Sequence, residues 1–310
     1  MRVGMLARID ELSALADLGM RSIGWMRFAD SVCGPGKDDW QAKARDIAAE
    51  AKSRDIGISA IGALYANPLD PRQTDHARAT FLRAIEVASE IGAKTVSGFP
   101  GAVICTKLNE RGGNPVYEPF EDFFPELLAF WEPIARFAAD KGCRIAFEHC
   151  PQAAYHLPVM GYNMLAQPAM WERLFDASKL DNIGLEFDPS HLVCQFIDPI
   201  ETIHRFGNRI FHFHAKDAYI NEAQLRRYGI CHPSVAEHRF PGLGQSNWPQ
   251  IVHALIRAGY DSDLNIEGWH DPVYRDHPSD EKSRMAGRQL EKTGLLVARR
   301  LLEPLVSGTE

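Results

Sequence analysis

From the middle of the 310-residue chain onward, four short apolar runs each end in an ionisable side chain: Glu148 in IAFEHCP, Asp188 in LEFDPSH, His214 in FHFHAKD and Glu267 in NIEGWHDP. Three carboxylates and one imidazole make a mixed oxygen and nitrogen donor set. Such a set suits a divalent Mn²⁺, Mg²⁺ or Co²⁺ better than a thiolate-bound zinc, with Mn²⁺ the first expectation, and it leaves coordination positions open for a substrate. Any one of these residues alone reads equally as a capped or salt-bridged loop residue. Four from consecutive strands favour a shared cation, because like charges in a half-buried mouth would otherwise repel. His191 stands three residues after Asp188 in D-P-S-H, where it is a ligand, a partner for a substrate hydroxyl or a helix cap.

Side chains alternate across a strand, so the residues two before each candidate ligand also point inward. They are Ala146, Glu186, His212 and Asn265. A buried Glu and His beneath a cation are costly unless paired, and they are expected either to orient His214 and the carboxylates or to form a self-contained ion pair. The other parity, Phe147, Leu185, Phe187, Phe211, Phe213, Leu264 and Ile266, reads as ordinary core.

What must hold these strand ends together is legible in the rest of the chain. Eight runs rich in apolar and β-branched residues begin at Arg2, Ser22, Ile58, Thr95, Arg144, Ile183, Ile210 and Leu264, about 37 residues apart on average, room for a strand, a helix and two loops. Amphipathic helical patterns fall between them at 38–55, 75–91, 119–141, 247–258 and 280–302, with weaker ones at 10–18, 168–178 and 198–206. Alternating β and α units with nearly continuous apolar strands predict a parallel sheet, and eight of them a single (β/α)8 TIM barrel spanning 1–310. Glycines 19, 57, 92, 142 and 259 mark the helix-to-strand turns. The strand-to-helix connections 100–117, 150–167 and 218–246 are long, which places function at the C-terminal face.

Composition excludes other classes. Thirty-four basic against forty-one acidic residues give a net charge of −7, and there is no long Lys/Arg run, so nucleic acid is not the expected partner. Cysteines 33, 105, 143, 150, 194 and 231 form no C-x-x-C pair, which fits free thiols in a reducing cytoplasm. Charged residues break up the N-terminus before a signal segment forms, and no apolar run is long enough for a membrane span.

The segments FDPSHL (187–192), HFHAKDA (212–218), RFPGLGQSNW (239–248) and AGYDSDLNIEGWHDP (258–272) resemble the sugar phosphate isomerase/epimerase family. These are xylose-isomerase-like barrels that include ketose 3-epimerases and inosose dehydratases. The resemblance covers essentially the whole chain. It implies Glu148, Asp188, His214 and Glu267 as metal ligands, the two glutamates as the acid/base pair, and His191 as a substrate-binding histidine. Lys216 and Arg239 are expected to contact substrate or to stabilise loops, the former with Asp217. The sequence departs from close relatives at two places: His149 follows Glu148 where they tend to carry Asn, and Gly268-Trp269-His270 follows Glu267 where they tend to read His-Glu. His149 thereby becomes a candidate acid or base, and Trp269 a candidate aromatic platform. Trp25, Phe99 and Trp248 are further stacking candidates.

The implied reaction is proton abstraction α to a sugar carbonyl through a metal-stabilised enediolate, ending in isomerisation or 3-epimerisation. The alternative is β-elimination, a lyase acting on a 3-keto-glycoside or inosose-type substrate. A sugar or sugar glycoside is the expected partner, in a homo-oligomer or a complex with a small subunit. A metal-dependent abasic-site endonuclease shares the barrel and D-x-x-H, but needs extra histidines that Ser97-Gly98-Phe99-Pro100 and Glu237-His238 do not supply. A non-catalytic sugar-binding barrel would not need all four ligands.

Overall fold

The computed structural model describes residues 1–64, 66–103, 107–108, 115–116, 123–151, 162–230, 232–268, 271–274 and 289–307. Its eight parallel strands close into a barrel: β1 (Val3–Arg8), β2 (Ser22–Met26), β3 (Gly57–Gly62), β4 (Thr95–Gly98), β5 (Arg144–Glu148), β6 (Ile183–Phe187), β7 (Ile210–Ala215) and β8 (Leu264–Ile266). Each falls on one of the eight runs. Each pairs with its neighbour in chain order, and β8 returns to β1 through Val3↔Leu264 and Met5↔Ile266. Closure leaves no exposed sheet edge.

Ten α-helices are described: α1 (Leu12–Asp17), α2 (Trp40–Ser53), α3 (Thr74–Ile91), α4 (Phe124–Asp140), α5 (Pro168–Ala177), α6 (Pro189–Val193), α7 (Pro199–Phe206), α8 (Glu222–Tyr228), α9 (Trp248–Arg257) and α10 (Gln289–Ser307). Local chemistry starts several of them. Proline, whose missing N–H costs nothing at a helix's first turn, opens α5, α6, α7 and α9, and Asp188, Asp198 and Asn247 accept backbone N–H groups as N-caps. Gly92 and Gly142 end their helices at φ 76° and 69°, a left-handed conformation that favours glycine. Among the described residues no helix is long and apolar enough to cross a membrane.

The outward face of the strands packs on the helix ring as parity predicts. Phe147, Leu185, Phe187, Phe213, Leu264 and Ile266 are buried in one continuous core, with Trp131 of α4 set edge-on against Phe147 at 4.6 Å between ring centroids. Trp25 belongs here too: it is fully buried beside Phe28, so the expectation of a stacking platform is corrected to core packing.

The connection 218–246 is not irregular. Asp217–Ile220 pairs antiparallel with Ala236–Arg239, and α8 lies between them. The buried Asp217 fastens this unit to the barrel by accepting from the N–H groups of Gly242, Ser246 and Ala218 and from Trp248 Nε1. Trp248 is thus structural rather than a sugar platform.

Candidate active site

Glu148 ends β5, Asp188 follows β6, His214 lies next to the end of β7 and Glu267 follows β8. One donor atom from each lies within 4.8 Å of the others, and all four residues are buried. His214 Nδ1 is 3.2 Å from Glu267 Oε2 and 3.8 Å from Glu148 Oε1, while its Nε2 is 3.0 Å from Glu186 Oε1. Among the described residues, neither ring nitrogen makes a well-aligned hydrogen bond. Asp188 divides its work: Oδ1 caps α6 through the Ser190 N–H, and Oδ2 faces the cluster with no hydrogen bond among the described residues. Buried polar atoms held this way are costly. A divalent cation would engage them together, with His214 ligating through Nδ1 and held from behind by Glu186, as metal-binding histidines commonly are. The donor set therefore fits such an ion.

Charge is concentrated here. Lys216 Nζ lies 3.0 Å from Glu267 Oε1 and 3.3 Å from Asp188 Oδ2, and His191 Nε2 lies 3.2 Å from Asp188 Oδ2 and 3.4 Å from Glu148 Oε1. Burial pushes the Glu148 carboxyl up. Burial acts in the same sense on Asp188, but His191 and Lys216 outweigh it and hold that carboxyl well below the usual range. Burial disfavours the charged form of His191, yet Asp188 overrides it and raises the imidazole to about 10. His214 is likewise raised, with Glu186 overcoming the cost of burial.

The layer beneath is connected. His212 Nδ1 meets Glu186 Oε1 at 2.7 Å, and the Ser59 hydroxyl stands 3.1 Å from His212 Nε2 and 2.9 Å from Asn265 Oδ1. Because Glu186 touches both His212 and His214, the pair is not self-contained: it runs from the barrel centre to the candidate ligand. Burial raises Glu186, but His214 and His212 bring it down to about 2.

The remaining candidates fall in different places. His191 and Lys216 are in the cluster. Arg239 Nε is 3.0 Å from the buried Asp271 Oδ2, which also accepts the Phe240 N–H, while Oδ1 accepts from Val273 and Tyr274. Arg239 is thereby part of a loop clamp. Trp269 lies outside the described residues. His149 is fully buried between Trp171 and Phe187 on one side and the His191 ring, 5.9 Å away, on the other, and its Nε2 accepts the Asp188 N–H at 2.9 Å. Burial lowers its basicity to about 3. Phe99 packs against Leu6, Met26 and Leu64. Gly268 has a steric origin: a Cβ there would stand 1.7 Å from the Phe240 ring, and one on Gly294 2.3 Å from its opposite edge.

Sequence reasoning missed Asn163, whose Nδ2 donates to the carbonyls of Glu148 and Cys150 and so sets the exit from β5. It lies in a long loop, and only the tertiary fold brings it back.

A barrel with its ionisable groups at the ends of adjacent strands is the architecture in which active sites occupy the C-terminal face. The family model described as "Xylose isomerase-like TIM barrel" matches residues 12–292, and the chain belongs to that family. An inosose dehydratase from Lacticaseibacillus casei is 32% identical over 108 residues, 33% of this chain and only 36% of its own length. One from Clostridium beijerinckii is 24% identical over 256 residues, 81% of this chain and 82% of that protein. A crystal structure of D-psicose 3-epimerase in the presence of D-fructose superposes with a TM-score of 0.63 at 17% identity, covering 98% of this chain and 100% of the other. That likeness shows the shared fold.

Proposed function

We propose that the protein is a divalent-metal-dependent enzyme that removes the proton α to the carbonyl of a sugar or sugar-like ketone, leading to isomerisation or 3-epimerisation. The observation that carries this is the convergence of Glu148 and Glu267 with Asp188 and His214 in one buried cluster. A cation held by those four, Mn²⁺ in the first instance, would supply Lewis-acid polarisation of the carbonyl and its neighbouring hydroxyl. The protein's own groups move the protons. Lys216, 3.0 Å from Glu267, favours the ionised carboxylate and makes Glu267 the base. Glu148 would supply a proton on the opposite face. His191 orients a substrate hydroxyl. His149 serves by fixing the Asp188 backbone rather than by exchanging protons.

A second reading, β-elimination of water from an inosose-type substrate, is favoured by the alignment with an inosose dehydratase over most of both chains. It shares the first step and differs in whether a leaving group sits next to the carbanion. Incubation of Mn²⁺-loaded protein with free ketoses, inososes and 3-keto-glucosides in D₂O, followed by NMR, separates the two. Deuterium at the α-carbon with inversion marks epimerisation, and loss of water or of an aglycone marks the lyase. Absence of α-exchange with every one of these substrates overturns the proposal.

A further inference from the structure

The Cys150 thiol takes no part in the chemistry above, yet it closes a second cluster at the same mouth. A sulfur from Cys150, an imidazole nitrogen of His191 and a carboxylate oxygen of Glu148 lie within 4.8 Å of one another. His191 is 4% exposed, and its Nε2, 3.4 Å from Glu148 Oε1, makes no hydrogen bond among the described residues. Cys150 is a free thiol and only half-buried, so an ion entering the mouth can reach it. The geometry points to a second divalent-cation site formed by Glu148, Cys150 and His191, selective for a thiophilic ion such as zinc and bridged to the first site by Glu148.

The donor chemistry supports it. Thiolate and imidazole prefer zinc, whereas a carboxylate-rich set accepts manganese or magnesium, so the two clusters would select different ions. The Nε2 of the buried His191 stands 3.4 Å from Glu148 Oε1, so one carboxylate belongs to both clusters. On binding, the thiol proton leaves to solvent. Three protein ligands leave a fourth position for water. Because His191 is the group assigned to a substrate hydroxyl, zinc at this site takes it away from the substrate, and the site acts as a zinc-sensitive brake on the manganese-loaded enzyme.

The inference rests on the reading of Glu148, Asp188, His214 and Glu267 as the first metal site, and a cobalt titration tests the two separately. Metal-free full-length protein is titrated with Co²⁺, following bound metal by equilibrium dialysis with elemental analysis and the near-ultraviolet thiolate-to-cobalt charge-transfer band. Two equivalents are expected, with the band arriving only with the second. Cys150→Ser is expected to abolish the band and weaken the second equivalent about tenfold or more, leaving the first within about twofold; Cys150→Ala serves as a second variant. One equivalent without the band overturns the second site and keeps the first. One equivalent that carries the band makes Cys150 a ligand of a single centre and also overturns it. No bound cobalt overturns both readings.

Discussion

The ends of barrel strands β1 to β4 and those of β5 to β8 occupy equivalent positions on one scaffold and carry opposite chemistry. Leu6, Met26, Leu64 and Phe99 form an apolar wall, whereas Glu148, Asp188, His214 and Glu267 form the candidate metal-binding cluster. A cavity of about 10 Å³ lies where the two halves meet, lined by Leu6 and Leu64 on one side and Glu186, His212 and His214 on the other. The backbone imposes neither character, since both sets of strands make the same parallel ladder. What the contrast teaches is that the apolar half conditions the polar one: by excluding water it removes the solvent that would screen the charges, so that a single neighbouring carboxylate or ammonium shifts each proton equilibrium strongly.

Substitutions can break this division of labour. The largest expected effect is on the polar half. Glu148→Gln and Glu267→Gln should each slow exchange of the substrate α-proton with solvent deuterium by about 10²–10⁴-fold; wild-type exchange in either variant removes the two-glutamate mechanism. In the apolar half, Leu64→Ala should cost about 2–3 kcal/mol of folding stability in urea while leaving affinity for the first metal nearly unchanged. A large loss of affinity would show that the wall also shapes the cation site. His212→Phe tests the layer beneath, with metal affinity expected to fall about 10–100-fold; a variant with full affinity and full activity would show that the pair only fills the barrel.

The smallest effect is pH-dependent. His191 is raised from 6.5 to about 10 in the metal-free fold, so its contribution to stability is complete below pH 6.5 and disappears as pH rises through 10. Melting temperatures in EDTA should therefore decline over that window, and His191→Gln should flatten the slope by a shift on the order of 2 °C. An unchanged slope in the variant would assign the decline to other groups.

Much of this site was legible before any coordinates. The eight strands followed from eight apolar runs separated by helical patterns, and the residues of the buried cluster from the ionisable side chain at each of the last four strand ends. Parity alone placed Glu186, His212 and Asn265 together, and they do meet. His149, just past the end of β5, packs on Trp171 and Phe187, as its shared parity with Phe147 suggests. Trp25 likewise shares the parity of Ile23 on the outward face, where it is buried in the core instead of forming the stacking platform its residue type suggested. Other features were out of reach because they are tertiary. The pairing of Asp217–Ile220 with Ala236–Arg239 spans an intervening helix rather than a tight turn, and the clamps built on Asp217 and Asp271 join residues that no periodicity connects.

The Phe240 ring lies between Gly268 and Gly294, with no room for a Cβ at either. These three positions are consequently free to vary only as a set: a side chain at 268 or 294 requires a smaller residue at 240. Swapping the His-Glu of relatives into this chain alone should dislodge Phe240 and, through its N–H bond to Asp271, the loop that carries Glu267. Grafting the loop that contains position 240 at the same time should restore it.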